Sequence, residues 1–157
     1  MVRDVKSYAW YAFDLRVSRL HMYKEKTVSQ AASQAAIFYR DVAKNLRLWT
    51  VEDDDGVPAP KNREGTRCMP LWSSQGRVEK IIKTAPAYST FRPLEMSWDA
   101  FILEWAPDIA HNGMLVGVNW SGSHALGYDL DPRDLIGNVT HFINNPARDP
   151  RTHSGAD

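Results

Sequence analysis

Trp72, Ser73, Ser74 and Arg77 stand where the sequence of a short strand gives way to that of an amphipathic helix. Two hydroxyls and the open N–H groups of a helix start can hold an anion, and an arginine one turn further on can assist. The same residues also have a plain structural use, with one serine capping the helix and Trp72 packed beneath it. Ser121 and Ser123 flank Gly122 in a second small polar cluster. A Ser-Gly-Ser hairpin tip is turn chemistry, and the strand-to-helix setting of a nucleophile elbow is lacking around it. Trp72, Ser73, Ser74, Arg77, Ser121 and Ser123 are the candidate binding residues.

Elsewhere the reactive residue types lack the spacing that chemistry needs. His21, His111, His124, His141 and His153 form no pair at helical metal spacing, and no HExxH is present. Cys68 is the lone cysteine, which excludes an internal disulfide and thiolate zinc clusters; on a strand it reads as a small buried hydrophobe. The run Glu52 to Asp55 has no alternating oxygens or distal glutamate of a calcium loop and reads as a solvated turn. Asp99 and Glu104 are five apart on a predicted helix, so they share no face. No catalytic residue, metal ligand or cofactor is assigned, and the chain reads as more a binding protein than an enzyme.

The elements that position these residues follow from hydrophobic period and punctuation. Ala31, Ala35, Phe38 and Val42 draw an apolar stripe down a helix from Val28 to Asn45, with Ser29 as N-cap. Leu48 to Glu52 reads as a strand, and Asp53 to Gly56 as a turn. Arg67 to Leu71 is a short strand interrupted by Pro70, which puts it near an edge or a bulge. A helix follows to about Thr84, then a strand from Ser89 to Met96. Ser97 caps a helix with Trp98, Phe101, Ile102 and Trp105 as its buried stripe, and Pro107 ends or kinks it. Met114 to Leu130 alternates on both sides of the Gly122 turn, predicting a hairpin with Val118 opposite Leu126 and Trp120 opposite His124. Gly117 and Gly127 then make a dent on the other face, open to a helix or a ligand. Asp131 and Pro132 start a last helix to about Ile143.

This order predicts an α+β fold: a single, mainly antiparallel sheet with a central 114–130 hairpin and helices packed on one face. Residues 1–26 read as an N-terminal extension, with Trp10, Phe13, Val17 and Leu20 at helical spacing. Residues 27–144 form the domain, and 145–157, which lack an apolar period, a disordered tail. The net charge of zero selects for neither nucleic acid nor an anionic membrane, and no apolar run reaches the ~20 residues of a membrane span. Neither a signal peptide nor a set of cysteines points outward, so the expected compartment is the cytoplasm.

LWTVEDDDGVPAP, MPLWSSQGRVEKII, SWDAFILEWAPDI and GMLVGVNWSGSHALGYDLDPRDL occur in that order. Together they resemble the bacterial domain of unknown function 2750 family over roughly Phe38 to Phe142. The resemblance implies one small α+β domain and brings no activity, cofactor or catalytic residue. More loosely, the size and helix–sheet mix are similar to those of immunity or partner-binding proteins. The expected function is non-catalytic binding of a protein partner by a monomer or weak homodimer; the alternative is a small-ligand or anion site at the 72–77 junction.

Overall fold

Ala35, Phe38 and Val42 recur at helical spacing, and all three are buried along α1 (Lys24–Asn45). The computed structural model describes residues 24–146. Most of the expected N-terminal extension and the tail from residue 147 lie outside them. α1 starts ahead of the expected Ser29 cap and ends where Leu46 takes a left-handed turn at φ 53°. After it come β1 (Arg47–Glu52), β2 (Cys68–Leu71), α2 (Gln75–Thr84) and β3 (Arg92–Ser97). The chain continues through α3 (Trp98–Ala100), a π turn over Phe101–Trp105 and α4 (Ala106–His111). β4 (Leu115–Ser121), β5 (Leu126–Leu130) and α5 (Pro132–Asn144) complete it.

The caps lie where side-chain chemistry puts them. Ser74, Ser97 and Asp131 each accept a backbone N–H of the helix they precede. Pro107 has no N–H to give Leu103, and the ladder ahead of it widens: the Ala106 N–H reaches back five residues to Phe101. The rod 98–111 therefore passes the proline without ending.

The α+β class holds, but the single sheet does not. β1 pairs antiparallel with β3, while β2, β4 and β5 form a second sheet in that order. Pro70 removes a donor from β2. The two sheets meet through one bridge, in which Trp49 and Trp72 exchange N–H···O bonds of 2.8 Å, and through the Thr50 hydroxyl on the Pro70 carbonyl at 2.7 Å. β2 runs parallel to β4, so the intervening α2, β3 and 98–111 rod make a crossover. The other pairings are antiparallel. The hairpin is central only through β4; β5 is the edge of its sheet.

Helices cover both faces, not one. Alternation along β2 sends Met69 and Leu71 to a core with Phe38, Phe101, Ile109, Val116, Val118, Leu135 and Val139. It sends Cys68 and Trp72 to a second core with Val78, Ile81, Tyr88, Phe91 and Trp120. α1, the 98–111 rod and α5 roof the first, and α2 roofs the second.

Trp120 departs from the expected register, and the cause is local. Val118 faces Tyr128, not Leu126, and a bulge follows before Ser121 meets Leu126. Asn119 sits in that bulge at φ 48° and turns Trp120 onto the glycine face of the strand. A Cβ on Gly117 would lie 2.1 Å from the Trp120 indole, and one on Gly127 2.5 Å from it. The expected dent exists, and the protein fills it with its own tryptophan.

Candidate functional site

The carboxyl ends of the parallel strands β2 and β4 meet at residues 72–74 and 119–121, where α2 begins. Trp72 is interior, 1% exposed; its indole N–H donates to the Trp120 carbonyl at 2.9 Å and its ring stands edge-on to Tyr88. Ser73 is fully buried. Its hydroxyl donates to the Asp41 carboxylate at 2.7 Å, and its backbone N–H to the Asn119 side-chain oxygen at 3.0 Å. The Asn119 amide in turn donates to the Gln34 carbonyl and to the Ser73 hydroxyl, each at 3.2 Å. Ser74 caps α2 by accepting the Arg77 N–H, and the Arg77 guanidinium donates to the Gln34 side chain at 2.8 Å.

The junction is thus closed on itself. It holds Asn119 in a left-handed conformation, one that asparagine tolerates better than most non-glycine residues. It also ties α1 to both strands. An anion here would displace the Asn119 oxygen from the Ser73 N–H, and it would approach the Asp41 carboxylate. Ser121 and Ser123 are exposed at the hairpin tip. Among the described residues, neither hydroxyl bonds to 72–77. The fold therefore gathers Trp72, Ser73, Ser74 and Arg77 with the base of the tip, but not with its serines. Gln34, Asp41 and Asn119 were not singled out from the sequence. A polar Asn amid apolar strand residues was the available signal for the bulge.

A second polar contact lies on the glycine face. Asp129 accepts from the Trp120 indole N–H at 3.0 Å and from the Asn62 amide at 3.5 Å. Burial lifts its carboxyl above the ordinary value, against the pull of these bonds. Burial, with Asp129 adding to it, pushes the neighbouring Cys68 thiol far above its ordinary value. Cys68 is 0% exposed, and the rise favours its protonated thiol over the reactive thiolate.

The other flank of α1 is open. At about 3.6 residues per turn, Gln34 and Asp41 lie on one side of the buried stripe, and Ala36, Tyr39 and Ala43 on the other. Ala36, Tyr39, Asn138, His141 and Phe142 line an apolar groove of about 270 Å³ between α1 and α5. Tyr39 and Phe142 stack at 6.4 Å. His141 stands edge-on to Phe142, and the Arg40 guanidinium lies 5.6 Å from the Phe142 ring centre. Partial burial raises the Tyr39 hydroxyl above its ordinary value, offset by a hydrogen bond with Asn138; the Tyr128 phenol and Asp134 add to the rise. Tyr128 itself is 44% exposed.

Among the described residues, no helix is long and apolar enough to cross a membrane, and no group of three His, Cys, Asp or Glu is placed to hold a metal ion. The family model described as protein of unknown function (DUF2750) matches residues 35–139, which takes in the junction and most of the groove. No curated protein and no solved structure matches the chain.

Proposed function

We propose that this chain, which belongs to the DUF2750 family of proteins of unknown function, binds a segment of another protein in the groove between α1 and α5 and does no chemistry on it. One observation carries the reading: Tyr39 and Phe142, stacked and half-buried, wall an apolar groove with Arg40 at its rim. Tyr and Arg are the residue types that most often anchor protein interfaces, and a stacked aromatic pair loses little entropy on binding. The groove volume of about 270 Å³ falls below the roughly 300–1,000 Å³ usual for cofactor and drug-sized ligands, which favours a side chain of a larger partner. The hairpin tip and the start of α2 are exposed too, but beside serines, glycines, an amide, His124 and Arg77 they offer no exposed aromatic pair. A bacterial cytoplasm, where Cys68 stays reduced, fits this role.

Site-specific photo-cross-linking in the protein's own cells tests it. A benzoylphenylalanine at Gly137, where an added side chain meets open space, should give a discrete adduct. The same probe at Gln75, beside the junction, should give none. Adducts at Gln75 alone, or at neither position, would refute the reading.

A further inference from the structure

Arg40 and His141 both stand against the Phe142 ring at one end of the groove, and Asp134 acts on the Tyr39 hydroxyl. Arg77 is held by Gln34, while Arg47, Arg92 and Arg133 pair with carboxylates. Arg40 is different. It is exposed, and its guanidinium is placed by the face of the Phe142 ring. Among the described residues no carboxylate pairs with it. A guanidinium beside a ring face still has its N–H donors to give, and a carboxylate can take two of them. His141 stands on the same ring with its own N–H to give. Two donors thus flank one apolar slot, and the slot has room for a single large side chain.

Resting on the partner-binding reading above, we infer that the groove takes a peptide segment of another protein in which a large apolar residue is followed closely by aspartate or glutamate. The apolar side chain enters the groove beside the stacked Tyr39 and Phe142 rings, and Arg40 with His141 holds the carboxylate. The charge complement makes the contact selective, because a basic residue at the same place would face Arg40 across a partly desolvated rim.

A phage-displayed library of random peptides, selected on the intact chain, tests this. The enriched sequences should share an apolar residue next to an acidic one. Their affinity should fall roughly tenfold, about 1.4 kcal/mol, in Arg40→Glu, and should be lost in Ala36→Trp, which fills the groove. Circular dichroism melts of both variants confirm that they fold. Enriched peptides that Ala36→Trp blocks but that lack acidic residues, or that bind Arg40→Glu unchanged, would overturn the inference and leave the groove as the binding site. Peptides that bind both variants like the parent, or no enrichment at all, would overturn both.

Discussion

On one flank of α1, Gln34 and Asp41 meet Ser73, Arg77 and Asn119 through hydrogen bonds within the chain. On the other flank, the stacked Tyr39 and Phe142 line an open apolar groove. The first region has the residue types that suggest chemistry and spends them on holding the fold. The second is walled by aromatic and apolar side chains, with His141 among them, and it stays open. One helix supports both because polar and apolar residues leave its buried stripe in opposite directions. Residue type alone misleads here; whether a group's interactions are already satisfied decides what it can do for a partner.

Substitutions should separate the two flanks, most sharply at Trp72. Trp72→Ala empties the second core and removes an indole bond, so urea denaturation should show a loss of ~3–5 kcal/mol. A loss under 1 kcal/mol would mean that Trp72 is not structural. Asn119→Ala leaves the Ser73 N–H and the Gln34 carbonyl without the Asn119 side chain, and it puts alanine into a left-handed conformation that it tolerates less well than asparagine. A loss of ~1–3 kcal/mol is expected. Asn119→Gly relieves the strain while losing the same bonds, so it should recover part of that loss. Equal losses would show that the bulge stores no strain.

Asp129 sharpens the contrast through pH. Its folded carboxyl titrates above the ordinary value of 3.8 because it is buried. Between those two values the folded protein holds more protons than the unfolded one. The stability that Asp129 contributes is therefore full below the unfolded value and falls as pH rises through the raised one. Denaturation of the parent and Asp129→Asn at acidic and neutral pH should show the parent losing ground to the variant as pH rises. The opposite slope would contradict the burial argument. The smallest effect belongs to the groove rim: Arg40→Glu should change stability by no more than ~0.5 kcal/mol, with a melting curve close to the parent's.

The helices were legible because their signals are local. Ser74, Ser97 and Asp131 announce their caps, and Ala35, Phe38 and Val42 their stripe. The sheets were less legible because strand partners are distant in the chain. Nothing near Cys68 to Leu71 shows that β4 will lie parallel to it, and Pro70 marks the break between the sheets only once the partner is known. The hairpin was found, but its register was not. One asparagine in a left-handed bulge moved Trp120 to the opposite face, and strict alternation has no term for that. The cluster at 72–77 was found as a set of residues, yet its closure depends on Gln34, Asp41 and Asn119, brought in by tertiary packing. The groove is not legible in the sequence because Tyr39 and Phe142 lie on two helices far apart in the chain. Only the packing of α1 on α5 shows the space between them.

Hydrogen exchange on the intact chain, with and without a saturating peptide from the library selection, tests the division between the two flanks most directly. The account predicts added protection over residues 36–43 and 138–142, with the amides of 73–77 and 121–124 unchanged. Protection confined to 73–77 and 121–124 would place binding at the junction and contradict it.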